Sequence, residues 1–229
     1  GHAVADYYNS VLADTLLDWI DARSVDAPAL RILEVGAGTG ATSAVLLSRL
    51  AEHGVSVAEY AYTDISRAFL LHAEERFCPH HPHVRTALFD AEQGIAEQGM
   101  ESASYDVVVA TNVIHATRNI RHSLRNSKAL LRRNGLLLLN EISDRALYTH
   151  LTFGLLEGWW RFDDSSLRIP GSPALSPEGW RRVLEEEGFE DVVFPARAGH
   201  AQGQQVVAAR SDGELRRQRR IEPVSAAVA

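Results

Sequence analysis

Leu30-Arg31-Ile32-Leu33-Glu34-Val35-Gly36-Ala37-Gly38-Thr39-Gly40 decides the fold class. An apolar run ends in an acid, a glycine-rich turn follows, and Ala41-Thr42-Ser43-Ala44-Val45-Leu46-Leu47 continues with helical character. Strand, glycine turn and helix in that order open a nucleotide-binding α/β unit. Glycine reaches left-handed backbone angles and has no Cβ to keep a ligand off the chain. Gly36-x-Gly38-x-x-Ala41 also satisfies the dinucleotide fingerprint nominally. Glu34 counts against that ligand. A carboxylate here repels a pyrophosphate and attracts an ammonium group.

S-adenosylmethionine has an ammonium and no phosphate. The turn resembles the first motif of the methyltransferases that use it, with Glu34, Gly36, Ala37 and Gly38 as cofactor positions. The chain outside the turn alternates in the same manner. Apolar spacing predicts helices over 4–19, 41–54, 66–77 and 120–133. Strands are expected at 29–35, 58–63, 84–89, 106–110, 135–139, 192–194 and 205–208. The uninterrupted Val107-Val108-Val109 suits a strand covered on both faces. The expected fold is therefore α/β, a doubly wound, mostly parallel, seven-stranded Rossmann-like sheet. Residues 1–28 read as a short, partial N-terminal helical lid and 29–210 as the core. Within the core, 143–188 reads as an insertion after the fifth strand that builds a substrate site. From 211 to 229 the chain turns Arg-rich and then Ala-rich, as a linker or tail does.

Composition narrows the function. With 229 residues, 45% of them hydrophobic, the chain suffices for one sizeable domain. A net charge of -7 argues against nucleic acid, which needs a basic face. Cys78 is the only cysteine, so neither an internal disulfide nor a cysteine zinc cluster is possible, in keeping with a cytoplasmic location. No apolar run approaches the roughly 20 residues of a membrane span, and no signal peptide is visible. His80-His81-Pro82-His83 reads as a solvated loop, not a metal site, because its spacing is too tight for one ion.

In such a sheet, ligands bind beyond the carboxyl ends of the strands. Asp64, with Ile65 behind it, ends the second strand, where a carboxylate can accept both ribose hydroxyls; a helix N-cap is the plainer alternative. Asp90, followed by Ala91, ends the third and can accept from an adenine amino group; the alternative is a turn residue. The fourth strand runs into Thr111-Asn112-Val113-Ile114-His115, the fifth into Asn140-Glu141. As neighbours, these strands should bring His115 and Glu141 together. A histidine held by a carboxylate is a positioned general base. A solvated Glu141 is the alternative.

These motifs are specific together. Residues 112–117, 135–141, 151–160 (Leu-Thr-Phe-Gly-Leu-Leu-Glu-Gly-Trp-Trp) and 175–180 (Leu-Ser-Pro-Glu-Gly-Trp) resemble the C-methyltransferase domains of modular polyketide synthases, above all the trans-acyltransferase type. The resemblance runs from Tyr7 to about Ser211. It implies α-carbon methylation of a β-ketoacyl chain on the phosphopantetheine arm of an acyl carrier protein, among neighbouring synthase domains. S-adenosylmethionine would be the cofactor and S-adenosylhomocysteine the product. His115 falls on the family's catalytic histidine and Glu141 on its partner. Glu34, the glycine turn, Asp64, Ile65, Asp90, Ala91 and Asn112 fall to the cofactor. Tyr8, Asn140 and Trp160 are expected at the substrate, with Asn140 or Asn112 as a donor to the enolate oxygen; a core position is the alternative for Trp159 and Trp160. The family's longer helical lid is represented here only by 4–19, which leaves contacts from Tyr7, Tyr8 and Asn9 open. Neither metal, nucleic acid nor membrane is called for. An O-methyltransferase is the nearest rival, since a histidine base serves it equally. A nicotinamide oxidoreductase conflicts with Glu34, and a silent docking module with the intact acids and His115.

Overall fold

A computed structural model describes residues 3–24, 27–143, 155 and 157–216. Residues 144–154 and 156 of the expected insertion, which include the first part of the 151–160 motif, and the tail from 217 lie outside the described residues. The strands are β1 (Leu30–Val35), β2 (Val57–Asp64), β3 (Val84–Leu88), β4 (Tyr105–Thr111), β5 (Leu131–Ile142), β6 (Phe189–Val193) and β7 (Gln204–Ser211). The helices are α1 (Ala3–Asp21), α2 (Ala41–Glu52), α3 (Arg67–Arg76), α4 (Ile120–Leu130) and α5 (Pro177–Glu186). One sheet has the order β3-β2-β1-β4-β5-β7-β6. Among the described strands, only β7 runs antiparallel to its neighbours. The chain winds outward through β2 and β3, then returns to place β4 against the far side of β1. That reversal, between β1 and β4, is where a doubly wound sheet opens a binding crevice.

Strand sequences explain the two cores. Side chains alternate across a strand. Ile32, Val107, Val109, Leu136 and Leu138 pack with Leu12 and Leu16 of α1 and with Leu46, Leu47 and Leu50 of α2. Their neighbours Leu33, Val35, Val108, Ala110, Leu137 and Leu139 pack with Ile120 and Leu124 of α4 and with Trp180, Val183 and Leu184 of α5. Both faces are covered, so the central strands read as unbroken apolar runs. α1 presents Tyr8, Leu12 and Leu16 at a spacing of one helical face and is thereby a layer of the packed domain. Ser176 caps α5, accepting from the Gly179 amide at 3.1 Å, with Pro177 at the first helical position. Among the described residues, no helix is long and apolar enough to cross a membrane.

Element ends differ from the expectations. α4 stops at Leu130 and β5 begins at Leu131, which pairs with Tyr105 of β4. The bulge after Tyr105 and the left-handed Asn134 (φ 63°) let the strand start four residues before Gly135. Gly135 is required there because a Cβ would lie 3.0 Å from the Asp106 carbonyl and 2.9 Å from that of Arg132. β5 also runs on to Ile142, so Glu141 is inside the strand and not beyond it. β3 ends at Leu88, two residues before Asp90. β6 begins at Phe189, earlier than its apolar pattern suggests, because an edge strand tolerates the exposed Glu190 and Asp191. The chain after β7 is not detached at once. The buried Lys128 ammonium donates to Asp212 Oδ1 and, at 2.8 Å, to the Glu214 carbonyl.

Candidate active site

The glycine turn leaves β1 with three left-handed glycines, Gly36 (φ 60°), Gly38 (φ 57°) and Gly40 (φ 76°). At Gly36 a Cβ would stand 2.6 Å from Val113 Cγ2, so the turn and the segment after β4 touch. At Gly38 the nearest atom to such a Cβ is 3.9 Å away. Space for a ligand opens over Gly38.

The acids sit around this turn. Asp64 Oδ2 accepts from the Gly38 amide at 2.9 Å and Oδ1 from the Ser66 amide at 2.8 Å. Each oxygen keeps a second lone pair for a ligand hydroxyl. Ser66 itself is the N-cap of α3, not Asp64. Ile65 is 74% exposed, an apolar surface beside the turn. Asp90 Oδ1 closes a small turn by accepting from the Glu92 amide at 2.8 Å, and Ala91 behind it is buried. Glu34 lies deeper than its place in the motif suggests. Its Oε2 accepts from Tyr60 Oη at 2.6 Å and from Ser43 Oγ. Burial pushes its carboxyl up to about 7; the two hydroxyls pull it down, and the Asp64 charge adds to the rise. Burial and then the Glu34 charge push the Tyr60 hydroxyl well up.

The second half of the site comes from β4 and β5, which pair with Thr111 opposite Asn140. His115 sits on a single 3-10 turn, Ile114–Ala116, and is 4% exposed. Its Nδ1 is hydrogen-bonded to Glu141 Oε2. Glu141 is fully buried, and its Oε1 accepts from the Ile114 amide at 2.8 Å and the Val113 amide at 3.3 Å. The carboxylate thus holds both the imidazole and the backbone that carries it. With Nδ1–H committed, Nε2 is the atom left to take a proton. A solvated Glu141 is excluded by this burial.

The expected substrate residues divide. Asn140 is buried; its Oδ1 accepts from Gln204 Nε2 at 2.9 Å, and the same amide reaches Asn112 Oδ1 at 2.8 Å. Asn112 is left-handed (φ 55°) and exposed. Asn140 Nδ2 reaches Asn9 Oδ1 at 3.4 Å, which also accepts from Thr42 Oγ1 at 3.1 Å. Tyr8 is buried, with its hydroxyl donated to the Gly199 carbonyl, whereas Tyr7 is exposed. Trp160 is 47% exposed, and it is Trp159 that meets the histidine, edge-on with ring centroids 5.7 Å apart. Sequence reasoning missed Gln204, Ser43 and Tyr60, whose roles appear only when distant elements meet. It also missed Asp164 and Arg168, which flank a short 3-10 turn and whose pairing no helical pattern announced.

Other expected features carry less. Among the described residues no group of three His, Cys, Asp or Glu is placed to hold a metal ion. Two clefts, of ≈ 430 and ≈ 320 Å³, open at the opposite, amino edge of the sheet, around His53 and around Arg132.

Comparison with known proteins agrees with this fold. A family profile described as "Methyltransferase domain" matches residues 33–137. Polyketide synthase PksM of Bacillus subtilis is 51% identical over 216 residues, 93% of this chain and 5% of that protein. The crystal structure of the DszA carbon methyltransferase superposes with a TM-score of 0.86 at 40% identity, over 94% of this chain and 56% of that one. The chain belongs to the polyketide synthase carbon-methyltransferase domains. It spans a small part of the curated synthases it matches and about half of the solved carbon methyltransferase. A further solved relative, trans-methyltransferase CalH in complex with S-adenosylhomocysteine, has a TM-score of 0.74 at 32% identity, over 90% of this chain and 58% of that one. This carbon-methyltransferase domain is therefore an enzyme that uses S-adenosylmethionine. Three features suit such a cofactor: a Gly38 position where even a Cβ would meet only ordinary contact, the Glu34 and Asp64 carboxylates, and the exposed Ile65 side chain.

Proposed function

We propose that this domain methylates the α-carbon of a β-ketoacyl chain held as a thioester on an acyl carrier protein, within a larger polyketide synthase. The buried His115–Glu141 pair beside the glycine turn is the observation that supports the reading most. Two carbonyls acidify the α-hydrogens of a β-ketothioester. His115 Nε2 removes one, and Glu141 stabilises the imidazolium that forms. The side-chain amide of Asn112 or Asn140 would donate to the enolate oxygen. Bound S-adenosylmethionine supplies an electrophilic methyl group. Glu34 would hold its ammonium, Gly36, Ala37 and Gly38 its backbone-facing side, Asp64 its ribose, and Ile65, Asp90, Ala91 and Asn112 its base and flank. Trp160 would bound the acyl path, and the buried Tyr8 would support it from behind through its bond to the Gly199 carbonyl. The enzyme's work is then proton removal and alignment.

Mass analysis of an acetoacetyl carrier protein after incubation with the domain and S-adenosylmethionine tests this. The expected product gains one methyl and loses one exchangeable α-hydrogen. A gain of methyl that leaves no readily exchangeable α-hydrogen, as in an enol ether, would place the group on oxygen and overturn the reading.

A further inference from the structure

The segment between β4 and α4 carries His115, and it is held on two sides. Glu141 takes its amides, those of Val113 and Ile114. Its carbonyls face the insertion, where one guanidinium gathers them. Arg168 Nη1 donates to the His115 carbonyl and, at 2.9 Å, to that of Pro173; Nη2 donates to the Thr117 carbonyl at 2.7 Å. Nε donates to Asp164 Oδ1. Asp164 Oδ2 in turn accepts from the Ile120 amide at 2.7 Å, at the start of α4. The Phe162 ring lies 4.5 Å from the guanidinium carbon. Arg168 and Asp164 are both buried, so the charges are paired out of water, with the arginine's Nε on the carboxylate and its Nη1 and Nη2 on backbone carbonyls.

We propose that Arg168, seated on Asp164, is a positioning residue for the catalytic base: it fixes the carbonyl side of the turn whose amide side Glu141 fixes. This rests on the reading of His115 as the base. A planar fork reaches two carbonyls flanking one turn at once, which a lysine ammonium on a flexible stem does not reproduce. Without it the His115 and Thr117 carbonyls lose their donor, and that side keeps only the Asp163 amide on the Arg118 carbonyl, at 2.9 Å. Misplacing a reacting group by about 1 Å costs roughly 10²-fold in rate. The insertion therefore shapes the chemistry through the backbone of His115 as well as through Trp159.

The test is Arg168→Lys, which keeps a cation for Asp164 and removes the fork, compared with Asp164→Asn, which loosens the seat and keeps the fork. Arg181→Lys, an exposed pair with Glu185, is the control. Three quantities are read: turnover with acetoacetyl carrier protein, affinity for S-adenosylhomocysteine, and the downfield proton resonance of the His115–Glu141 hydrogen bond. Arg168→Lys should lower kcat by about 10- to 100-fold, leave KM and cofactor affinity within a few-fold, and shift or broaden that proton. Asp164→Asn should do the same to a smaller degree. Wild-type kcat and an unmoved resonance in either folded variant would overturn the proposal. His115→Ala, run alongside, separates the two readings. Undiminished α-proton exchange in that variant removes His115 as base, while the resonance still reports on whether Arg168 sets its geometry.

Discussion

Glu34→Gln makes the buried acid's titration measurable. In the folded chain the carboxyl ionises at about 7, against an ordinary 4.5, because burial disfavours its charge. One pKa unit corresponds to about 1.4 kcal/mol, so the shift is worth about 3 kcal/mol. Below 4.5 the group is protonated whether folded or unfolded. Between 4.5 and 7 the unfolded chain releases its proton while the folded chain keeps it, so stability falls as pH rises. Above 7 the loss is complete. The variant cannot ionise, yet its amide oxygen still accepts from Ser43 and Tyr60. Urea unfolding without cofactor at a series of pH values from about 4 to 8 should show wild type losing about 3 kcal/mol relative to the variant. Binding adds a second reading. An ammonium placed against Glu34 favours its charged form. Calorimetry near neutral pH in buffers of different ionisation heat should then show proton release on binding, absent in the variant. Parallel stability profiles for the two proteins would refute the burial argument. Absence of proton release from wild type would refute the ammonium contact.

Glu141→Gln should lower kcat by about 10²-fold or more, because an amide presents a donor to either the imidazole or the Val113 and Ile114 amides; stopped-time methylation assays measure it. Gly38→Ala should weaken cofactor binding far more than it lowers stability, since its Cβ would make only an ordinary contact, 3.9 Å from the Gly36 carbonyl oxygen, and the left-handed angle costs only about 1–2 kcal/mol. Gly36→Ala, whose Cβ would strike Val113, should lower the melting temperature as well. Trp159→Ala should reduce kcat through His115, and Trp160→Ala should raise KM for the carrier-bound substrate, as separate kcat and KM determinations would show.

The sheet was legible because its central strands are apolar on both faces and its glycine turn is chemically distinctive. Strand ends were less so. Leu131-Arg132-Arg133-Asn134 carries no strand pattern, and only pairing with β4 draws it into β5. The dyad was legible from two strand ends that adjacency in the sheet must bring together. The depth of Glu34 was not, because it depends on Tyr60 and Ser43 reaching one carboxylate from two other elements. Which tryptophan meets His115 was equally hidden, since neighbouring residues in a short 3-10 turn face different ways and only packing selects between them.

Exchange of α-hydrogens tests the central claim most directly. An acetoacetyl carrier protein in heavy water, with S-adenosylhomocysteine in place of the methyl donor, is followed by intact mass. Wild-type domain should accelerate exchange above the uncatalysed rate, and His115→Ala should cut that acceleration by about 10²–10⁴-fold with cofactor affinity nearly unchanged. Exchange at the wild-type rate in His115→Ala, or methylation by wild type with no catalysed exchange, would contradict it.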